Sequence, residues 1–217
     1  MNLLYRVSWD ILALALTALF VPLLHMAVRW LLRHYWISRF TGRKLFHVAL
    51  GTWCIPMALL ITHPIVGAAL ILPLIAMNFR GNYKRIKRGG RWLITLSAAL
   101  HSLAFLILSV AWFQGNLAAL TGAILTMSYG DAAAALAGMA GQNRPGPRTW
   151  RGTAANAIVS AMTIGAVLSL SQPLSWWLAP IAIAGGCLAA AVERITPGPL
   201  DNPAVLAAIG SYLLAAL

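Results

Sequence analysis

The sequence predicts an all-α protein, a polytopic transmembrane bundle of about seven to eight membrane helices. Three observations carry that expectation. Apolar runs of roughly 17 to 25 residues recur from end to end, each long enough to cross a hydrocarbon core of about 30 Å. Hydrophobic residues make up 60% of the 217 and charged residues only 9%, against about 25% charged in a soluble domain. Finally, the connections between the runs alternate between basic and neutral, as in a chain threaded back and forth across a bilayer.

The expected spans lie at roughly 9–32, 45–62, 64–79, 92–112, 117–140, 153–170, 174–193 and 203–217, the last short enough to be tilted or interfacial. The first run, from about Ile11 to Leu32, lacks the small-residue cleavage site of a signal peptide and is expected as a retained helix. His63-Pro64, Gln114-Gly115-Asn116, Gln172-Pro173 and Thr196-Pro197-Gly198-Pro199 separate the runs. Proline ends helices because its φ is fixed and it has no backbone donor. No internal repeat and no room for a soluble domain are found, so residues 1–217 read as one integral membrane domain.

Net charge is +12, from 16 Lys and Arg against four acids. In a soluble chain this would suggest nucleic acid; in a membrane chain it reports topology, and no nucleic-acid partner is expected. The stretches Arg33 to Lys44, Arg80 to Arg91, Arg144 to Arg151 and Arg194 are basic, while the turns at His63, Gln114 and Gln172 are neutral. The positive-inside rule therefore places the basic connections in the cytoplasm and the N-terminus outside, with only Arg6 on the wrong side. Cys54 and Cys187 sit in apolar runs without CxxC or metal-ligand spacing and are expected as small buried hydrophobes.

Any carboxylate chemistry must use Asp10, Asp131, Glu193 or Asp201, the only acids of the chain. Asp10 reads as a helix-start acid favoured by the N-terminal dipole. Asp131 lies inside an apolar run, where a charge costs about 2.5–3.5 kcal/mol and demands a partner or a wet cavity. It is a functional candidate by default, the structural alternative being an ion pair with an arginine that pins helices. Ser128, Ala135, Gly138 and Gly141 surround it at helical spacing and leave a bare face, open to a ligand or to another backbone.

Glu193 and Asp201 flank the Pro/Gly turn on the side toward which the Asp131 helix runs. Three carboxylates converging at one cytoplasmic mouth would suit Mg²⁺, which completes its octahedron with water and substrate phosphates. Thr153, Asn156, Ser160 and Thr163 form a polar stripe facing a cavity or a neighbouring helix, with Asn156 the costliest to bury unpaired. Arg43 and His47 share a face at the start of the second run, where the histidine is interfacial, a phosphate ligand or a proton acceptor.

These residues together resemble the polyprenol kinase family of phytol, farnesol and dolichol kinases and CTP-dependent diacylglycerol kinases. The resemblance rests on Arg43-Lys44-x-x-His47, Gly130-Asp131-Ala132-x-Ala134-x-x-x-Gly138-x-x-x-Gln142, a basic loop closing on Gly152-Thr153, Glu193, and Asp201-Asn202-x-x-Val205. It spans Arg43 to Val205 and departs at Arg151, where relatives carry a glutamate. It implies a kinase-like core over 43–205, preceded by a helix and basic loop over 1–42 and followed by a C-terminal helix over 206–217.

The implied reaction moves the γ-phosphoryl group of a nucleoside triphosphate, typically CTP with Mg²⁺, to the hydroxyl of a lipid alcohol. Asp131, Glu193, Asp201 and Asn202 match the acidic elements. Asp131, His47 and Asn156 are the candidate catalytic residues, with Asp131, Glu193 and Asp201 as metal ligands. Arg43, Lys44, Arg148, Arg151, Gly152, Thr153 and Asn202 are the candidate phosphate and nucleotide contacts, Arg148 and Arg151 because a guanidinium grips phosphate bidentately. The expected setting is a multi-pass prokaryotic inner or plasma membrane, with membrane lipids as surroundings and the site at the cytoplasmic face. Two rivals remain: a CTP-dependent cytidylyltransferase acting on a lipid phosphate, and a transporter binding a cation or proton at Asp131, a class that often shows repeated halves.

Overall fold

The computed structural model describes residues 3–63, 66, 117–139, 148–196 and 200–217. All its elements among these residues are α-helices: α1 (Leu3–Arg33), α2 (Arg39–Leu60), α3 (Leu117–Met139), α4 (Trp150–Ser171), α5 (Leu178–Ile195) and α6 (Asp201–Ala216). The expected spans at 64–79 and 92–112, and the basic connection between them, lie outside the described residues. Among the described residues three helices are long and apolar enough to cross a membrane, Val7–Arg33 of α1, α4 and α5. α6 has only 16 residues, and α2 devotes its first turns to Arg39, Arg43, Lys44 and His47.

Local sequence explains the helix ends. α1 stops where Tyr35 takes a left-handed conformation, φ 57°, and Trp36 N–H donates to the Leu31 carbonyl at 3.1 Å while Tyr35 N–H donates to Leu32 at 3.3 Å. This is a Schellman motif with tyrosine where glycine is usual. Ser38 then caps α2 through its hydroxyl, which accepts from Thr41 N–H at 3.1 Å, and Thr149 caps α4 by accepting from Gly152 N–H at 3.1 Å.

α3 is the central helix, buried continuously from Ala119 to Ser128 and packed against α2, α4, α5 and α6. Its Ala119, Leu120, Ala123, Ile124 and Met127 form one core with Ile164 and Leu168 of α4, Ala182 and Ala189 of α5, and Val205, Leu206, Ile209 and Leu213 of α6. A smaller core joins α1 to α2 through Ala13, Met57 and Ile61, with Phe20 stacked on Trp53 at 4.0 Å between ring centroids. In lipid the drive for such packing is close van der Waals fit, which small residues permit. Gly186 of α5 illustrates it, since a Cβ there would run into the Ala157 carbonyl oxygen of α4.

Two sequence expectations change. Asp10 is not at a helix start: α1 begins at Leu3, and Asp10 is 4% exposed. Its carboxylate accepts from Thr62 N–H at 2.6 Å, the Thr62 hydroxyl at 3.2 Å and His63 N–H at 3.4 Å, so it binds the chain leaving α2. Periodicity could not reveal this, because the donors are supplied by a segment some fifty residues away in sequence. Cys187 is exposed on α5 rather than buried, while Cys54 is half-buried.

Candidate functional site

The connectivity brings the start of α2, the second half of α3, the start of α4, the end of α5 and the start of α6 to one end of the bundle. Asp131 lies there on α3. Lys44 Nζ donates to its Oδ1 at 2.5 Å, and His47 Nδ1 lies 3.2 Å from its Oδ2. The two α2 residues stand three positions apart, on one helix face. An ionised carboxylate only accepts, so the His47 hydrogen sits on Nδ1 and leaves Nε2 for another partner. The Lys44 and Asp131 side chains are 12% and 14% exposed, which is how an intramembrane acid is accommodated: its charge is met by an opposite one. The partner is a lysine, not the arginine that a purely structural reading of Asp131 had anticipated.

Asn156 and Ser160 rise from α4 behind this pair. The Ser160 hydroxyl donates to Asn156 Oδ1 at 2.7 Å, so the amide nitrogen is turned toward Glu193 of α5 and hydrogen-bonds its Oε2. Gly130, next to Asp131, is where α3 comes closest: a Cβ there would collide with Asn156 Oδ1 and lie 2.6 Å from Ser160 Oγ. One turn beyond, a Cβ on Gly152 would stand 2.7 Å from the Ala134 carbonyl oxygen. The Gly-Asp pair thus has a packing reason: the glycine lets α3 and α4 meet at the level of the acid.

The third acid is held differently. Arg148 Nη2 donates to Asp201 Oδ2 at 3.0 Å, while its Nη1 donates to the carbonyls of Arg194 at 2.9 Å and Thr196 at 2.5 Å. A planar guanidinium therefore satisfies carbonyls left over at the end of α5 and fixes the start of α6. Asp201, in the first turn of α6, accepts Asn202 N–H on its Oδ1 at 2.7 Å. Burial is the main influence pushing the Asp201 carboxyl above its usual range, with the Asp131 charge adding to it; the Asn202 N–H and Arg148 act the other way. Glu193 lies within electrostatic reach of both Asp131 and Asp201. The three carboxylates thus lie toward the same end of the bundle.

Of the expected phosphate contacts, Lys44 and Arg148 are engaged by Asp131 and Asp201, and Gly152 and Thr153 serve the start of α4. Asn202 enters through its backbone N–H. Arg43 and Arg151 are exposed at the same end. Arg194, Ser160 and Trp150 were missed as site residues. Arg194 Nη1 donates to Thr153 Oγ1 at 3.0 Å and its guanidinium lies 3.8 Å over the Trp150 ring; in the sequence it counts only as one more loop charge. Ser160 was legible as part of the polar stripe, but not its bond to Asn156.

Among the described residues no three His, Cys, Asp or Glu side chains are grouped closely enough to hold one ion between them. These residues therefore do not form a closed cage of all three acids; Mg²⁺ would have to be held by one or two of the carboxylates, with phosphate and water filling its other positions. Comparison of the chain with protein-family models, with curated proteins and with solved structures yields no match.

Proposed function

We propose that this chain is a membrane-embedded lipid kinase that transfers the γ-phosphoryl group of CTP, or another nucleoside triphosphate, to the hydroxyl of a lipid alcohol. One observation carries the reading: at one end of a helical bundle in a strongly basic, apolar chain, Asp131 is paired with Lys44 and His47 and Asp201 with Arg148, while Glu193 is held by Asn156 and Arg194 by Thr153. Structural ion pairs alone do not require three carboxylates there, each costly to bury. Phosphoryl transfer does require such a mixture, because its protein contribution is positioning and charge stabilisation.

In this reading the His47 ring, oriented by Asp131 through Nδ1, accepts the hydroxyl proton of the lipid on Nε2 as the oxygen attacks the γ-phosphorus. The bond from the γ-phosphorus to the β,γ-bridging oxygen breaks, and a nucleoside diphosphate leaves. The exposed Arg43 and Arg151 neutralise phosphate oxygens, while Lys44 balances the charge of Asp131 and Asn156 and Ser160 hold Glu193 in place. Mg²⁺, when bound at one or two of the carboxylates, supplies further charge neutralisation on the triphosphate. The full count of about seven to eight spans, with the site on the cytoplasmic side of a prokaryotic membrane, belongs to the same proposal and follows the distribution of basic connections.

The test is incubation of the purified chain in lipid nanodiscs with γ-labelled CTP or ATP and a panel of polyprenol, phytol, farnesol and diacylglycerol. Labelled lipid phosphate together with CDP or ADP is expected. Release of pyrophosphate would indicate nucleotidyl transfer instead, and no product from any pairing would refute the proposal.

A further inference from the structure

Trp150, the first residue of α4, is 73% exposed, yet one face of its indole is occupied. The Arg194 guanidinium sits 3.8 Å from the ring centroid, held there by the Thr153 hydroxyl at 3.0 Å. The Arg194 carbonyl is in turn bound by Arg148, which binds Asp201. A short chain of contacts therefore ties this ring to the rim of the acidic mouth. The exposed Trp30, by contrast, packs against Trp36 and His34. A tryptophan serving only as an interfacial anchor needs no cation fastened to one face.

We propose that Trp150, backed by Arg194, is the stacking platform for the nucleobase of the nucleoside triphosphate. This rests on the nucleotide-dependent reading above and adds to it the residue that grips the base. Every base has a π face, and stacking on an aromatic ring contributes affinity without reading the base's edge. A cation beneath the indole keeps one face covered and fixes the ring plane, so that the other face is the one available to a ligand. Arg151, the next residue, is exposed at the same helix start and supplies a guanidinium of the kind that grips phosphate. The platform therefore binds purine and pyrimidine nucleotides alike, and selection between CTP and ATP lies elsewhere.

The experiment measures equilibrium binding of CTP, ATP and inorganic tripolyphosphate, which has the charge but no base, to full-length protein in nanodiscs. Trp150→Ala raises the Kd for CTP and ATP by about 5- to 150-fold, as loss of one base stack does, and leaves tripolyphosphate binding unchanged. Trp150→Phe, which keeps an aromatic face, recovers most of the nucleotide affinity and guards against a folding artefact. Unchanged CTP and ATP binding in Trp150→Ala would overturn the platform while leaving the kinase reading intact. An equal loss for tripolyphosphate would overturn it in favour of a general structural role. A wild-type protein that binds neither CTP nor ATP would overturn both the platform and the nucleotide-dependent function.

Discussion

Replacing Asp131 with asparagine separates charge from shape at the centre of the proposed site. On composition alone the substitution should stabilise the bundle, since an amide is cheaper to bury in a membrane helix than a carboxylate. The structure reverses the sign. Lys44 is 12% exposed and donates to Asp131 at 2.5 Å, so Asp131→Asn leaves an ammonium buried without a counter-charge. Breaking such a pair from one side costs about 3–5 kcal/mol. The low end, about 3 kcal/mol, applies here because the new amide can still accept one hydrogen bond from Lys44. Lys44→Met should cost a similar amount by stranding Asp131 with His47 alone. The double variant removes both charges, so the two costs should fail to add by at least about 2 kcal/mol. The assay is unfolding of the four proteins in one detergent, by heat or by denaturant titration, beside lipid-phosphate formation. All three variants should be inactive although the double variant is well folded. Additivity within about 0.5 kcal/mol would refute the pair as an energetic unit, and an active Asp131→Asn protein would refute its place in the reaction.

Gly130→Ala puts a methyl group against Asn156 and Ser160; it should cost about 1–3 kcal/mol through overpacking and lower kcat sharply, as read by thermal unfolding and product formation. Asp10→Ala strands the N–H groups of Thr62 and His63 and should destabilise the protein by about 1–3 kcal/mol, yet activity per folded molecule should stay at the wild-type level, because Asp10 lies far from the mouth along α1. Arg151→Glu places a negative charge at the exposed start of α4 and should raise the KM for nucleotide by about tenfold or more, one charge-assisted contact being worth about 1.5–3 kcal/mol; an unchanged KM would remove Arg151 from the phosphate site. Single cysteines at Lys87 and Arg148 should react with a membrane-impermeant maleimide from the same side and one at Gln114 from the other, and labelling of positions 87 and 148 from opposite sides would break the shared-mouth topology.

The helices and their ends were largely legible from the chain itself. Apolar runs of membrane length, punctuated by Pro, Gly and polar turns, anticipate α3, α4, α5 and α6 to within a few residues, whereas α1 and α2 begin well before the expected runs; in lipid every backbone group must bond within its own segment and only a continuous helix achieves that. The acids of the candidate site stood out as well, because four carboxylates in a chain this apolar each need a reason to be there.

Partnership was not legible, and it is what the site consists of. Whether Lys44 meets a phosphate or Asp131, whether Arg148 clamps a ligand or the α5–α6 turn, and whether Asp10 caps its own helix or another segment all depend on which helix faces which. Sequence spacing determines only the face on which a side chain lies. Pairing α2 with α3 sets Lys44 and His47 on Asp131. Closing α4 onto α3 at Gly130 and Gly152 delivers Asn156 to Glu193, and the return of α5 beside α4 lays Arg194 on Trp150. Each contact joins residues tens of positions apart, so its existence is a property of helix packing. The residue types decided that this end of the molecule would be charged; the crossing of the helices decided which charges would neutralise one another and which would be left facing outward.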